Sequence, residues 1–345
     1  MYSALMKSKN KLTKAHIIAI VTTAVACIAA VAIIIINLFI PVKYLYAYLN
    51  LSVDKNMSGV LRVSFIGVGY GDSTLIELPD GKTALIDAGN GRRANEIKIL
   101  KLLNRRGINK IDYLICSSVS EKRCGGLKEM LKYKQVGKLF APDCKLTRIN
   151  DGYRNFCDEA NKAANDRRNV ISANCCYGEI AFTDSYTLCF LSPSADSVGG
   201  EYGDLNESPT EENIANASAV IWLEYAGAGF FFAGDITSVK ADKLYSEYKL
   251  NDYFEINGRK ISLTACKILK MGANGAKSSA SPLLYDLLKP ETAIISVGEN
   301  GKDCPSAETL TQVQKYVGDK IYSTQECGTV TIEVGGGNYT VFKEK

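Results

Sequence analysis

The chain has 345 residues, 46% of them apolar and 23% charged, which suits a packed body with a sizeable core and excludes a largely disordered polymer. Its single histidine, His16, excludes a Ser-His-Asp triad, a Cys-His dyad, an HExxH helix or any histidine-built zinc site in the folded body. The net charge of +4 comes from Lys7, Lys9, Lys11 and Lys14; removing those four leaves 37 residues of each sign, so charge does not support direct nucleic-acid binding by the body.

Residues 1–16 read as a basic tail carrying His16, followed at 17–40 by 24 residues without a charge. As a helix those would span roughly 36 Å, enough to cross a hydrocarbon core of about 30 Å. Apolar sequence continues past every small-x-small site, so an uncleaved, single-pass signal anchor is expected rather than a removed signal peptide. Four lysines before the span and only Lys43 close behind it place the tail in the cytoplasm and the body outside the cell membrane. Tyr44, Tyr46 and Tyr48 suit the exit interface, and residues 41–59 read as a juxtamembrane linker.

The body, 60–345, opens with the strands LRVSFIG, STLIEL and TALIDAG, broken by Gly69-Tyr70-Gly71-Asp72 and the turn Pro79-Asp80-Gly81. A helix with apolar residues at 97, 99, 100, 102 and 103 then stops at Gly107. DYLICSS is a buried strand, GGLKEMLKY a short helix, KLFAP a strand and 151–168 a helix. IAFTD, YTLCFLS, SAVIWLEYAG and GFFFAGD are mostly antiparallel strands, with a polar loop expected at 192–216. Helix 238–249, strand TACKILK, helix SPLLYDLLK, strand TAIISVG, helix 306–317 and the strands KIYS, TVTIEV and NYTVFK complete the pattern, the last two joined by a Gly335-Gly336-Gly337 hairpin turn. Strands and helices alternating in two halves imply sheets layered beneath outer helices. Ten cysteines lie in the body without a CxxC spacing; Cys116, Cys189 and Cys266 sit in apolar strands, where free thiols pack as small hydrophobes.

The run VSFIGVGYGDSTLIELPDGKTALIDAGNG resembles the opening of the competence-type (ComEC-like) branch of the metallo-β-lactamase superfamily. The likeness continues through RRGI, IDYLI, FFFAGDI, KILKMGANGAKSS and CPSAETL, across residues 60–345. It implies an αββα sandwich of the metallo-β-lactamase fold, preceded here by one N-terminal transmembrane helix. It also implies a metal site, using zinc or another divalent ion, at the sheet edge between the halves. The family's histidine-rich HxHxDH loop is replaced by Ser118-Val119-Ser120-Glu121-Lys122-Arg123, ahead of Cys124-Gly125-Gly126-Leu127. A His-His-Gly is replaced by Ala273-Asn274-Gly275, and a late histidine before proline by Cys304.

Asp87 and Asp235 occupy the positions of the family's loop-propping and metal-bridging aspartates, and Asp72 with Ser73 keeps the GDS turn. The remnant site is therefore Asp87, Asp235, Ser118, Ser120, Glu121, Lys122 and Arg123. Asp235, Glu121, Cys124 and Cys304 are the remaining metal-donor types, but serine cannot replace imidazole and Lys122 with Arg123 would set positive charge beside a dication. No cofactor is expected. Either cation could instead turn inward and pair with Asp235. Asp72, Ser73, Lys122, Arg123, Lys270 and Lys277 are candidates for lining a ligand cleft that would hold an anion. The resulting expectation is a membrane-anchored pseudoenzyme that binds or scaffolds, its partner an envelope or DNA-uptake protein by family analogy. The alternatives are a metal-dependent phosphodiesterase or nuclease without histidine ligands, and a thiol-based redox or transfer function at Cys124 or Cys304.

Overall fold

The structure, a computed structural model, describes residues 14–39, 44–48, 54, 58–146, 149–166, 170–194, 200–299 and 303–345. The chain forms two units, residues 1–49 and 50–345. Lys7, Lys9, Lys11 and most of the expected linker lie outside the described residues.

In the first unit, α1 (Lys14–Phe39) carries an apolar stretch, Lys14–Ile36, long enough to cross a membrane, and α2 (Leu45–Tyr48) is one turn. Because α1 begins at Lys14, His16 sits in its first turn rather than in a tail, as the sequence had suggested.

The second unit begins with β1 (Leu61–Phe65), β2 (Thr74–Glu77), β3 (Thr83–Ile86), α3 (Arg93–Arg105) and β4 (Lys110–Ile115). It continues through α4 (Glu121–Cys124), α5 (Leu127–Tyr133), β5 (Gln135–Ala141), α6 (Asp151–Asn165) and β6 (Ile171–Asn174). The Asn150 side chain accepts from the Tyr153 amide and so caps α6. Then come β7 (Gly178–Phe182), β8 (Tyr186–Ser192), α7 (Gly200–Glu207), α8 (Glu211–Asn216), β9 (Val220–Tyr225) and β10 (Ala228–Phe232). After these follow α9 (Ser238–Lys249), β11 (Phe254–Ile256), β12 (Arg259–Ile261) and β13 (Cys266–Lys270). The last elements are α10 (Pro282–Leu288), β14 (Thr292–Ile295), α11 (Ala307–Val317), β15 (Ile321–Ser323), α12 (Thr324–Cys327), β16 (Val330–Gly335) and β17 (Asn338–Lys343).

One sheet has eight strands in the order β17-β16-β1-β2-β3-β4-β5-β6; the other has seven, β15-β14-β13-β10-β9-β8-β7. The C-terminal hairpin closes the first sheet beside β1, Leu61 pairing with Val334. Strand alternation explains the layering. Phe230 and Phe232 point into the core between the sheets with Phe65, Ile76, Phe190, Ile268 and Ile332, while Phe231 points the other way. There it packs with Trp222, Leu244, Tyr248, Leu284 and Val313 beneath α9, α10 and α11. A strand buried on both faces reads as a continuous apolar run, as GFFF does.

The segment expected as a polar loop at 192–216 contains α7 and α8. Tyr202 and Leu205 are buried, Glu201 pairs with buried Lys240, and Thr210 caps α8 by accepting from the Asn213 amide. The short hairpin β11–β12, the edge strand β6 and the single turn α4 also arise where the sequence pattern indicated none.

Strand direction gathers the site. The ends of the parallel strands β3 and β4 in one sheet and β10 and β13 in the other reach the same edge. The residues preceding β2 join them, because β2 runs antiparallel to β3.

Candidate functional site

Six charged side chains meet at that edge: Asp72, Asp87, Lys122 and Arg123 from the first sheet's half, Asp235 and Lys270 from the second's. Arg123 is the hub. It stands on α4 with only 3% of its surface exposed. Its backbone carbonyl accepts from the Ala88 amide at 2.9 Å, tying α4 across to the end of β3. Nη1 reaches Asp87 Oδ2 at 2.8 Å, and Nη2 reaches Asp235 Oδ1 at 2.8 Å, the Gly234 carbonyl at 2.9 Å and Asp72 Oδ2 at 3.2 Å.

Gly125 and Gly126, directly after α4, make this approach possible. A Cβ on Gly126 would stand 2.2 Å from the Ala88 carbonyl oxygen, and one on Gly125 2.5 Å from Asn90 backbone.

Asp87 is fully buried with φ +61°, a left-handed conformation that aspartate tolerates better than most residues. Its carboxylate also accepts from the Ser117 amide (2.8 Å) and hydroxyl (2.6 Å), and its carbonyl from the Ser73 hydroxyl (3.0 Å). Lys270, at the end of β13, donates to Asp72 at 2.6 Å. Lys122, the most exposed member, donates to Asn274 Oδ1 at 3.0 Å, lies 3.2 Å from Asp235 Oδ1 and covers the Tyr70 ring.

Burial alone would raise the Asp235 carboxyl, but Arg123 and then Lys122 overcome it and hold it well below the usual carboxylate range. Asp72 is likewise lowered against its burial, by Lys270 and then Arg123. Asp87, deepest of the three, remains raised by burial despite Arg123. Burial opposes the guanidinium of Arg123 too, yet three carboxylates keep it firmly protonated. Three acids and three bases make the cluster neutral. It therefore offers no surplus positive charge to an anion, and Lys270, a candidate for lining an anion cleft, is committed to Asp72.

Several sequence candidates fall outside this network. Lys277 is exposed and pairs with Glu308 at 2.8 Å. Ser118 is buried with its hydroxyl accepting from the Ser120 amide, and Ser120 opens α4. With Arg123 turned inward on a one-turn helix, Glu121 and Cys124 cannot share its direction. Glu121 is exposed, and the Cys124 thiol packs against the Val119 carbonyl, burial pushing its pKa well up, which is the wrong direction for a thiolate nucleophile. Cys304 is half-buried. Conversely, Ser117 and Asn274 belong to the network although no site was assigned to them. Asn274, fully buried with φ +58°, donates to the Ser296 carbonyl at 2.6 Å. An Asn-Gly pair is a sequence signal for such left-handed backbone.

The residues do not fit the divalent metal that the resemblance implies. Each available carboxylate is already matched by a side-chain cation, and a guanidinium stands where they converge. Among the described residues no group of three or more His, Cys, Asp or Glu side chains is arranged to hold a metal ion.

Two mixed sheets face to face under outer helices, with a charged cluster where strands of both sheets end, define an αββα sandwich of the metallo-β-lactamase type. No family model matches the chain. It is 23% identical over 284 residues to ComE operon protein 3 of Bacillus subtilis (strain 168), covering 78% of this chain and 32% of that protein. It is 24% identical over 259 residues to Recombination protein 2 of Haemophilus influenzae, covering 74% of this chain and 26% of that protein. The chain thus spans about a third or less of the length of these curated relatives. A solved structure, the diiron β-hydroxylase CmlA of Streptomyces venezuelae, is similar with a TM-score of 0.48 and 12% identity over 81% of this chain and 55% of that one. The chain is thus similar, over about three quarters of its length, to part of two competence-type proteins.

Proposed function

We propose that this chain is a membrane-anchored pseudoenzyme, its hydrolase-like body outside the cell membrane binding or scaffolding a partner in the envelope or in DNA uptake. One observation carries the reading: the Arg123 guanidinium lies within 3.2 Å of carboxylates of Asp72, Asp87 and Asp235. A cation covalently tied to the chain neutralises those carboxylates, and the serines at 118 and 120 supply no nitrogen ligands. Hydrolysis by a metal-activated water needs an ion with an open coordination position, which this donor set does not offer. α1 supports the anchor by length and composition.

The test is metal content, by elemental mass spectrometry, of the full chain purified in detergent without chelators or affinity histidines, followed by phosphodiesterase assay. The expected result is a folded, metal-free and inactive protein. Near-stoichiometric zinc, manganese or iron with a phosphodiesterase activity lost in Asp235→Asn would overturn the proposal.

A further inference from the structure

Each of the two large sheets ends in two edge strands, and three of these four are blunted. β6 has four residues, β15 has three and runs directly into α12, and β7 loses its register with β8 between Glu179 and Ala181. Short or bulged edges keep an open ladder from pairing with another chain. β17 is the exception. Its six residues hold an unbroken register with β16, include no proline or glycine, and leave Asn338, Thr340, Phe342 and Lys343 exposed. Phe342 has 48% of its surface exposed, a large apolar side chain at the rim of a sheet.

The turn before β17 fixes which of its backbone groups face outward. Gly336 and Gly337, both with positive φ, form a two-residue hairpin turn, so the flanking Gly335 and Asn338 exchange hydrogen bonds. Alternation then directs the amides and carbonyls of Asn338, Thr340 and Phe342 to β16, and those of Tyr339, Val341 and Lys343 to the open side. The Glu344 amide keeps the same parity, donating to the Thr329 carbonyl at 3.0 Å. Tyr339 and Val341 also pack their side chains against the core between the sheets, so the open side continues that core to the rim.

We propose that β17 pairs with β17 of a second copy of this chain, antiparallel about a two-fold axis at Val341, joining two eight-stranded sheets into one. The distribution of charge selects this partner and direction. Lys343, Glu344 and Lys345 cluster at one end of the strand, and Gly335-Gly336-Gly337-Asn338 at the other end carries no charge. A parallel neighbour in register would set like charges side by side. The antiparallel copy sets Lys343 opposite Tyr339, where an ammonium and an aromatic ring attract, Glu344 opposite Asn338, and Val341 opposite Val341. The contact is self-complementary, as a two-fold axis demands. Each of the three facing pairs, Tyr339 with Lys343, Val341 with Val341 and Lys343 with Tyr339, can exchange two backbone hydrogen bonds. On the outer face Phe342 lies diagonal to Phe342 of the other copy, within reach of aromatic side chains, so each ring covers the surface that a single copy leaves exposed.

The test measures the mass of the full chain in detergent by light scattering over a range of concentrations, together with site-resolved amide hydrogen exchange of residues 338–343. A dimer is expected. As it forms, exchange at Tyr339, Val341 and Lys343 should slow severalfold, while Thr340 and Phe342, bonded to β16, are slow throughout. Val341→Pro removes an amide that β16 does not use, and proline is tolerated where a strand amide faces solvent. It should weaken the dimer by about tenfold or more, through the hydrogen bonds lost at the axis, with the melting followed by Trp222 fluorescence unchanged. Phe342→Lys, at an exposed position, sets two ammonium groups across the axis and should weaken it similarly. A chain that is monomeric at every concentration, or a dimer that persists in both variants, would overturn the proposal. So would slow exchange of the three outward amides in the monomer, which would assign the open side to another segment of the same chain.

Discussion

Replacing Asp235 by asparagine removes one charge from a buried cluster that is balanced three against three. The carboxylate is 5% exposed and faces Arg123 at 2.8 Å and Lys122 at 3.2 Å. Breaking a buried pair from one side costs about 3–5 kcal/mol, because the remaining charge stays out of water. For a body of this size that corresponds to a fall in melting temperature of roughly 6–20 °C. Trp222, the only tryptophan, is fully buried in the second sheet's outer core, so its fluorescence in the full chain in detergent reports unfolding of the body. The decisive comparison is with Arg123→Gln and the double variant. Either single change leaves the cluster with one uncompensated charge; the double change leaves Asp72 and Asp87 with Lys122 and Lys270, balanced again. The double variant should therefore cost less than the two singles combined by about 1–3 kcal/mol. A single-variant loss below about 1 kcal/mol, or strictly additive losses, would refute the reasoning.

A second buried acid lies at the far end of the first sheet. Glu77 is raised from 4.5 to about 7 by burial, with Arg106 and Arg62 at 3.6 and 3.7 Å only partly offsetting it. Between those values the folded state holds more protons than the unfolded one, so stability should fall as pH rises from about 4.5 to 7 and then level, by an amount of order 3 kcal/mol. Denaturant titrations across that range check this, and Glu77→Gln should flatten the profile; a wild-type profile already flat there would contradict the assignment. Asp72 and Asp235 act in the opposite sense: both are lowered, so their contribution is complete above about pH 4 and is lost only below it. Gly126→Ala would place a Cβ 2.2 Å from the Ala88 carbonyl, which must shift together with the α4 backbone bonded beside it. A loss of about 1–3 kcal/mol is expected in the same fluorescence melt, and a wild-type melting temperature would show that the contact yields freely.

Legibility in the sequence followed how local each signal was. The first three strands, buried along their whole length, announce themselves through short apolar-rich runs and the Pro79-Asp80-Gly81 turn, and β10 through its apolar run ending in Gly234-Asp235. The hairpin β11–β12 has strands of only three residues, and α7 is held by tertiary burial of Tyr202 and Leu205, which no periodicity reveals. At the site, Asp72, Asp87, Asp235, Lys122, Arg123 and Lys270 all stood out as residues, but which carboxylate faced which cation depended on two sheets meeting at one edge. Lys277 belongs elsewhere because its partner, Glu308, lies on α11. Asn274 looked like a lost ligand, yet it joins Lys122 to the Ser296 carbonyl.

The pairing of β1 with β16 has a consequence for the chain during its own synthesis. The edge of β1 acquires its neighbour only when residues 330–334 have emerged. At roughly 5–20 residues per second, that leaves the strand's amides and carbonyls on that side without their final partner for tens of seconds. Until then the growing chain presents an open ladder to any other strand that passes. Removing the final hairpin would make that temporary edge permanent.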